Sequence, residues 1–455
     1  PEVLAKGAAA LILEDVDSIY EDAKGDEALK WLKVVKPDIT VIKVDDTREA
    51  LAFMSAAYFD HPADVLKVVG ITGTKGKTTT TYMIREALQA AGHKVGLIGT
   101  IEAIIGNEHI PAHNTTPESY ELQRDFAAML DAGCDICVME VSSQGLMMHR
   151  VDGFTFELGI FTNIEPDHIG PNEHKDFEDY LHCKALLFKK CRYGIFNADA
   201  DHLDEVLEEA TCDKSFYGIG KGDYQAGDIR LWQDGGHLGV EYHISGRLNE
   251  DMRIEVPGRF SVYNSLAAVA VCDHFGTEPE VLKKALLHAK AKGRIEMIHV
   301  SDEFSLMIDY AHNAMALESL LTSLREYEPG RLVTLFGCGG NRDRNRRFEM
   351  GEVSGRLSDL TIITSDNPRF EEPSAIIDDI ETGIRPTGGK YIRIEDRKEA
   401  IRYAIEHGKP GDIVILAGKG HEDYQEIRGV KHPMDERVLI DEVLKEIAEE
   451  KDKAH

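Results

Sequence analysis

The glycine-rich stretch GTKGKTTT constrains the fold of this chain more than any other feature. It follows VLKVVGIT, an apolar run typical of a buried strand, and precedes TYMIREALQAAG, which has helical spacing. A second strand pattern, KVGLIGTI, comes next. Strand, loop, helix and strand in this order predict a parallel sheet with helices on its faces, and therefore an α/β fold.

The same stretch predicts a phosphate-binding loop. Glycines let the backbone approach a phosphate, and the following helix offers unpaired N–H groups at its positive end. We expect Lys77 to hold the β- and γ-phosphates of a nucleotide and Thr78 to ligate Mg²⁺. The loop is shorter than the usual motif, because Ile71 stands where the first glycine would be. The candidate ATP-binding residues here are Gly73, Thr74, Lys75, Gly76, Lys77, Thr78 and Thr79.

Length, charge and cysteine content limit the class of protein. A chain of 455 residues is too long for one ordinary core. The formal net charge of −29 argues against nucleic acid or an anionic membrane as a partner. No apolar run reaches the roughly 18–20 residues that span a bilayer. We expect that no signal peptide is present and that Pro1 is not the native N-terminus.

The seven cysteines form no metal-binding pattern. Cys134 and Cys137 make a lone C-x-x-C within a strand pattern, whereas a zinc site needs four ligands. We therefore interpret both as structural. An odd, unpatterned cysteine count indicates a reducing cytoplasm.

Three polar residues of the central segment are candidates for chemistry. Glu140 ends the strand pattern CDICVMEV, where a carboxylate is well placed to hold Mg²⁺. His168 follows the strand pattern FELGIFTNI. Lys184 lies on the apolar helix DFEDYLHCKALLF, where a lysine must be paired, modified or extended to solvent. The residues alone favour a lysine that reaches solvent.

Three strand patterns of the last segment each end in a polar loop: RLVTLFGCGGNRDRNRR, LTIITSDNPRF and DIVILAGKGHED. Ligands of such sheets bind outside the carboxyl ends of the strands. An arginine can bind a carboxylate with two hydrogen bonds, and a glutamate can hold an ammonium group. The loops therefore predict a site for a diamino dicarboxylate, although they could be ordinary surface turns. The candidates are Arg342, Asp366, Asn367, Pro368, Arg369, Gly418 and Glu422.

Taken together, the motifs resemble those of the Mur ligase family, and most closely its MurE branch. The motifs on which this resemblance rests occur in order along nearly the whole chain. They are TGTKGKT, NTTPES, EVSSQG, NIEPDH, YLHCKALLF, DYAH and DNPR. The resemblance implies three α/β domains. These are a remnant of a uridine-nucleotide domain at 1–64, a P-loop-type central parallel sheet at 65–298 and a Rossmann-like amino-acid domain at 299–455.

The resemblance also implies roles for single residues. Glu140 and His168 would bind Mg²⁺, and Lys184 would carry a CO₂-derived carbamate that supports a second metal site. The linker residue Arg294 would act with Lys77 on the transferring phosphoryl group. Asn264 would meet adenine, although asparagine at such a position often only caps a helix. The remaining candidates are Asp309 and His312 for ATP, and Thr115, Thr116, Ser142 and Arg150 for UDP-MurNAc-dipeptide.

The implied activity is an ATP-dependent acid–amino-acid ligation in peptidoglycan precursor synthesis, by a cytoplasmic monomer. The carboxylate of UDP-MurNAc-L-Ala-D-Glu would become an acyl phosphate that the amine of meso-diaminopimelate attacks. The DNPR form indicates diaminopimelate, because L-lysine lacks the distal carboxylate and would leave a buried Arg369 unpaired.

Two other readings stay open. Lys75, Met148 and Asn313-Ala314 depart from the family pattern, which leaves open a related ligase that adds L-lysine or another amino acid. Folylpolyglutamate synthetase fits the TTPES and DNPR loops poorly. A non-catalytic nucleotide-binding module would retain the phosphate loop without turnover.

Overall fold

The computed structural model describes residues 6–15, 30, 32–34, 36–171 and 173–454. Within them the strands are β1 Ala10–Leu13, β2 Thr40–Lys43, β3 Lys67–Thr72, β4 Val95–Ile98, β5 Glu102–Ile105, β6 Glu108–Pro111, β7 Ile136–Glu140, β8 Phe156–Phe161, β9 Cys191–Asn197, β10 Asp213–Ile219, β11 Tyr224–Asp234, β12 His237–Gly246, β13 Glu250–Ile254, β14 Glu296–Ile298, β15 Ser305–Asp309, β16 Leu332–Phe336, β17 Leu360–Ile363, β18 Tyr391–Arg393, β19 Ile413–Ala417, β20 Tyr424–Ile427 and β21 Val430–Pro433.

The helices are α1 Thr47–Tyr58, α2 Lys77–Ala90, α3 Ser119–Asp131, α4 Ser143–Met147, α5 Phe177–Ala185, α6 Leu203–Glu209, α7 Phe260–His274, α8 Pro279–Leu287, α9 Ala314–Arg325, α10 Asn345–Leu357, α11 Pro373–Ile384, α12 Arg397–Glu406 and α13 Glu436–Ala454. Short 3₁₀ turns lie at Pro62–Asp64, Leu186–Lys189 and Arg385–Thr387. The chain divides into two compact units. The first unit comprises Pro1–Gly73, Lys94–Gly194 and Asp204–Asp213, and the second comprises Thr74–His93, Ile195–Leu203 and Lys214–His455.

The first unit is built on a sheet with strand order β8-β3-β7-β4-β5-β6. Strands β8, β3, β7 and β4 run parallel, and β5 and β6 continue the edge antiparallel. The parallel strands are buried almost throughout, as expected when both faces of a parallel sheet are covered. Helix α3 covers β4 closely, because a Cβ at Gly96 would collide with the side chain of Met129. Strands β1 and β2 form a separate parallel pair.

The second unit contains the antiparallel ribbon β11-β12-β13, with β10 parallel to β11. Helix α2 packs against α7 and α8 in this unit. Helix α7 is largely apolar, and most of its residues between Ser261 and Cys272 are buried.

The second unit also holds a sheet with strand order β14-β15-β19-β16-β17-β18, parallel from β15 onward. Alternate residues of each strand face opposite sides of this sheet. Ile413 and Ile415 belong to the core shared with α9, α10 and α11, whereas Val414 and Leu416 belong to the core shared with α12 and α13. Helices therefore cover both faces, and the carboxyl ends of β16, β17 and β19 meet at one edge.

The structure confirms the α/β fold class, with the strands at the runs that the sequence indicated. The division at residues 64 and 298 remains a prediction, and parts of the first segment lie outside the described residues. Cys134 and Cys137 are buried thiols, consistent with a structural role. No helix among the described residues is long and apolar enough to cross a membrane.

Candidate active site

The predicted phosphate loop ends at the first turn of α2. Gly76 precedes the helix with a φ of 84°, in the left-handed region that favours glycine. The ammonium group of Lys77 donates to the carbonyl of Thr74 at 3.1 Å, and the Thr78 side chain is buried. Lys75 is exposed. The first N–H groups of a helix lack intrahelical partners, so this end of α2 can receive an anion.

Asn264 lies inside α7 and does not cap it. Its Oδ1 accepts a hydrogen bond from the Thr80 hydroxyl at 3.3 Å. The same oxygen would lie 2.5 Å from a Cβ built on Gly76. The asparagine predicted to meet adenine thus packs directly against the glycine that opens α2, where only glycine leaves it room.

Glu140 ends β7 with a side chain that is 1% exposed. Its Oε1 accepts from the backbone N–H of Thr100 at 2.9 Å, and its Oε2 accepts from the Thr100 hydroxyl at 3.0 Å. That hydroxyl also lies 3.1 Å from the Thr115 hydroxyl. Thr100 was not singled out from the sequence, because a threonine after a strand carries no signal of its own.

The predicted contacts for the sugar–peptide substrate cluster beside Glu140. The Thr116 hydroxyl donates to the Glu140 carbonyl at 3.1 Å and accepts from the Ser142 N–H at 2.9 Å. The guanidinium of Arg150 donates to the Thr116 carbonyl at 3.1 Å and lies 2.7 Å from Glu118. The structure therefore brings Thr115, Thr116, Ser142 and Arg150 together. Ser142 also caps the short helix α4 by accepting from the N–H of Gly145.

His168 lies on the loop that follows β8. Its side chain is 53% exposed, and its Nδ1 lies 3.0 Å from Glu173. The backbone of His174 closes the loop by donating to the His168 carbonyl at 3.0 Å. The His174 ring is fully buried, with Nε2 2.9 Å from the Ser143 hydroxyl and Nδ1 3.1 Å from Asp179. His174 was missed from the sequence, and it anchors the loop that carries His168.

Lys184 is 1% exposed on α5, so the sequence-based preference for a solvent-reaching lysine was wrong. Its ammonium group donates to the Gly73 carbonyl at 2.9 Å and lies 4.5 Å from the centroid of the Tyr180 ring. The neighbouring Cys183 is buried as well. Lys184 is held at Gly73, the first glycine of the phosphate loop.

The linker arginine is positioned by a strained backbone. Ile295 has a φ of 48°, a left-handed value that is unfavourable for a β-branched residue. Its N–H donates to Asp309 at 2.9 Å. The guanidinium of Arg294 lies 4.6 Å from the centroid of the Tyr310 ring. Burial raises the pKa of Asp309, although the charge of Arg294 and backbone N–H groups oppose the shift.

Two histidines flank Tyr310. The Nδ1–H of His312 donates to the Tyr310 carbonyl at 2.9 Å, since a carbonyl can only accept. The ring of His421 lies 4.8 Å from that of Tyr310. Burial, reinforced by the nearby charge of Arg294, lowers the pKa of His421 to about 4, so this ring is neutral near pH 7. His421 was not singled out from the sequence.

Asn313 explains one departure from the family pattern. Its side chain caps α9 by accepting from the N–H of Ala316 at 2.9 Å. Asparagine is among the residues preferred at this position of a helix.

The three polar loops that follow β16, β17 and β19 line one cavity of about 290 Å³, here called the strand-end cavity. Pro368 is not part of its wall and packs against Gly340. The wall also includes residues that the sequence analysis did not select: Tyr310, Cys338, Asp343, Arg346 and Arg347. The predicted residues that line it are Arg342, Asp366, Asn367, Arg369, Gly418 and Glu422, together with His312.

Several charges at the strand-end cavity already have partners. Arg347 pairs with Glu371 and Asp379 at 2.8 and 3.0 Å. Arg369 donates from Nε to Glu426 at 3.0 Å and from Nη1 to the Gly340 carbonyl at 2.8 Å.

Arg342 and Arg346 make no ion pair within the residues that the structure describes. The cavity thus offers guanidinium groups to carboxylates and the carboxylate of Glu422 to an ammonium group.

Comparison with known families matches residues 71–272 to the Mur ligase middle domain and residues 293–420 to the Mur ligase, glutamate ligase domain. A relative from Clostridium acetobutylicum is 43% identical over 431 residues, covering 93% of this chain and 88% of the relative. A relative from Clostridioides difficile is 41% identical over 452 residues, covering 97% and 88%. Both are described as UDP-N-acetylmuramoyl-L-alanyl-D-glutamate–2,6-diaminopimelate ligases.

Solved structures give the same result. A structure of a UDP-N-acetylmuramoyl-L-alanyl-D-glutamate–2,6-diaminopimelate ligase superimposes with a TM-score of 0.71 at 26% identity, covering 98% of this chain and 94% of that chain. Mycobacterium tuberculosis folylpolyglutamate synthase reaches a TM-score of 0.63 at 17% identity, covering 81% and 92%. At that identity only the fold is shared.

Proposed function

Because this chain belongs to the Mur ligase family, we propose that it is the ATP-dependent ligase that joins meso-diaminopimelate to UDP-MurNAc-L-Ala-D-Glu. ATP converts the D-glutamate carboxylate to an acyl phosphate. The amino group of diaminopimelate attacks the acyl carbon, and the tetrahedral intermediate expels phosphate. The observation that carries the choice of amino acid is the strand-end cavity, which combines guanidinium groups with the carboxylate of Glu422.

Each end of a diamino dicarboxylate has a complementary group in this proposal. Arg369 is fixed through Nε and Nη1, so its Nη2 is the nitrogen available to a carboxylate. Arg342 offers a second guanidinium on the neighbouring loop. Glu422, Asp366 and Gly418 also line the strand-end cavity, where they would receive an ammonium group of the ligand. Contrary to the sequence-based argument, Arg369 is only partly buried and already pairs with Glu426, so L-lysine would not leave it unpaired. L-lysine would still lack the distal carboxylate that Arg342 and the Nη2 of Arg369 could bind, which disfavours it.

The nucleotide and the activated substrate have matching candidates. We propose that the first turn of α2, with Lys77, receives the phosphates of ATP, and that Arg294 offsets charge on the transferring group. Asn264, Asp309 and His312 would contact the nucleotide. Thr115, Thr116, Ser142 and Arg150 would receive the sugar–peptide substrate, since they already form one hydrogen-bonded cluster.

The residues fit the divalent cation that such ligases use. Glu140 is a buried carboxylate held by hydrogen bonds from Thr100, and carboxylate oxygens are ligands that a hard cation prefers. The side chain of Thr78, at the start of α2, is also buried, and a hydroxyl oxygen is a suitable ligand for the same class of cation. When bound, Mg²⁺ would neutralise charge on the phosphates. We propose Glu140, His168 and a carbamate on Lys184 as ligands or supports of a metal ion, and Thr78 as a ligand beside the nucleotide.

We place the enzyme in the cytoplasm as a monomer. All seven cysteines are free thiols, which supports a reducing compartment.

The test measures phosphate release from ATP and UDP-MurNAc-dipeptide with meso-diaminopimelate, with L-lysine and with no amino acid, and identifies the product by mass. We expect release and a tripeptide product only with diaminopimelate. Release with lysine alone would keep the ligase but overturn the role of Arg369. No release with any amine would overturn the substrate assignment.

A further inference from the structure

Lys419 lies between Gly418 and Gly420 in the loop after β19, and its side chain is fully buried. A buried ammonium group requires close partners, because its desolvation is otherwise very unfavourable. Lys419 donates to Asn367 Oδ1 at 3.0 Å and to Glu422 Oε2 at 2.9 Å. It also donates to the Tyr424 carbonyl. Two of these partners line the strand-end cavity, whereas Lys419 itself does not.

The contacts of Lys419 fix the side-chain amide of Asn367. Its Oδ1 accepts from Lys419 and from the backbone N–H of Glu426 at 2.9 Å, and its Nδ2 donates to Glu422 Oε2 at 2.9 Å. Donors face the oxygen and a carboxylate faces the nitrogen, so the amide has one favourable orientation. Asn367 therefore makes most of its side-chain hydrogen bonds to other residues of the protein and has few left for a ligand.

Glu422 is held by the same arrangement. Both of its hydrogen bonds, from Lys419 and from Asn367, fall on Oε2, which leaves Oε1 for the cavity. Burial acts to raise the pKa of Glu422, but the charge of Lys419 and these hydrogen bonds outweigh it. The pKa lies below its usual value, and the side chain is ionised near neutral pH.

We propose that Lys419 is a positioning residue for recognition of the amino acid: through Asn367 and Glu422 it presents the second oxygen of Glu422 to an ammonium group of the incoming diamino acid. This inference rests on the proposed function. It also changes the role predicted for Asn367, from a residue that reads the ligand to one that orients Glu422. Lys419 carried no separate signal in the sequence, since a lysine in a glycine-rich loop is usually exposed.

The test replaces Lys419 with methionine, which keeps the chain length without the charge. Loss of hydrogen bonds to a charged group predicts a rise of about 10- to 100-fold in the KM for meso-diaminopimelate. The kcat and the KM values for ATP and UDP-MurNAc-dipeptide should stay within about threefold. Because burial alone would then raise the pKa of Glu422, the KM of the variant should fall as the pH rises, more steeply than that of the wild type.

Lys431→Met is the matched control. Lys431 lies 3.9 Å from the centroid of the Tyr424 ring, so it shares a neighbour with Lys419 without contacting Asn367 or Glu422 in the described structure. The KM of the Lys431→Met variant for diaminopimelate should equal that of the wild-type protein.

A double-mutant cycle with Glu422→Gln separates positioning from general damage. If Lys419 acts through Glu422, adding Lys419→Met to Glu422→Gln should raise the KM by much less than it does in the wild type. The proposal would be overturned if the two substitutions had additive effects on the KM for diaminopimelate, or if Lys419→Met left that KM unchanged. An equal loss of kcat/KM for all three substrates would overturn it as well.

Should Lys419→Met fail to fold, Asn367→Ala serves instead and should raise the same KM several-fold, and an unchanged KM would overturn the proposal. Wild-type protein without diaminopimelate-dependent phosphate release would overturn the proposed function, and the inference with it.

Discussion

The ammonium group of Lys184 lies 2.9 Å from the carbonyl oxygen of Gly73 and donates a hydrogen bond to it. Gly73 is the first residue of the predicted phosphate loop, and 111 positions of sequence separate the two residues. The carbamate proposed for Lys184 would exchange its positive charge for a negative one at the start of the loop.

Replacement of Lys184 by methionine should therefore abolish most of the activity. We expect kcat to fall by about 10²- to 10³-fold, the range seen when a charged group that stabilises a transition state is removed. Protein equilibrated with ¹³C-bicarbonate should show a carbamate carbon resonance that is lost in Lys184→Met. The control is Lys190→Met, which removes a lysine paired with Asp152 and should keep the resonance. Full activity of Lys184→Met would contradict the proposed carbamate.

Gly76→Ala should impair nucleotide binding through Asn264. The new Cβ would lie 2.5 Å from Asn264 Oδ1, and alanine is disfavoured at a φ of 84° by about 1 kcal/mol. Gly92→Ala is the control, since Gly92 has a φ of 97° and nothing within 4 Å of an added Cβ. Both variants share the φ penalty, and Gly76→Ala should lose more thermal stability because only its new Cβ meets Asn264. Calorimetry should find ATP affinity reduced at least about 10-fold in Gly76→Ala alone. Equal affinities would show that the contact is irrelevant to the nucleotide.

Arg369→Ala should raise the KM for meso-diaminopimelate by about 10- to 100-fold, as expected when a hydrogen-bonded charge contact is lost. Glu426 and the Gly340 carbonyl hold this guanidinium at the wall of the strand-end cavity. Arg428→Ala is the comparison, because Arg428 is 80% exposed and only weakly paired with Glu372. Steady-state kinetics would decide, and equal KM values for the two variants would remove Arg369 from the site.

Arg397→Met should destabilise the second unit by about 3–5 kcal/mol, because it leaves the fully buried Glu436 without its partner. Arg397 also donates to the carbonyls of Ser365 and Ala417, at the ends of the strands that lead into the strand-end cavity. The double variant Arg397→Met with Glu436→Leu should recover much of the loss. Urea denaturation would measure the free energy of unfolding of the single and the double variant. A double variant as unstable as the single one would show that Glu436 is not the cause.

Acid should weaken the ion-pair network of Arg347 with Glu371 and Asp379. Hydrogen bonds from Arg344 and Arg347 hold the pKa of Asp379 below its usual value against the opposing effect of burial, and Arg347 does the same for Glu371. A carboxyl group with a lowered pKa stabilises the fold fully above its unfolded-state pKa of about 4, and this stabilisation is lost as the pH falls through the folded-state pKa.

The free energy of unfolding should thus differ between wild type and Asp379→Asn at pH 7, and the difference should shrink below about pH 4. Denaturant titrations at several pH values measure it. Glu372→Gln, at a side chain that is 78% exposed, should show little difference at any pH. A difference for Asp379→Asn that does not change with pH would contradict the assignment.

The sequence by itself determined the α/β class and the order of the motifs. Apolar runs of strand length and the helical spacing of TYMIREALQAAG are local signals, and a glycine loop between them has few other uses. The expectation that three strand-end loops would meet also came from sequence, because carboxyl ends of parallel strands share one edge of a sheet. Arg342, Arg369 and Glu422 were found in this way.

Only the tertiary structure decided which side chains hold those residues in place. Thr100 under Glu140, His174 beneath the loop of His168, and Lys419 behind Glu422 are ordinary residues in the sequence. Their partners lie 40 positions away for Thr100, 31 and 5 positions away for the His174 ring, and 52 and 3 positions away for Lys419. The tertiary structure also decided which charged side chains are buried. Lys184 is enclosed, although its helix alone would have allowed it to reach solvent. Desolvation depends on the residues that pack around a side chain, and these are not its neighbours in the sequence.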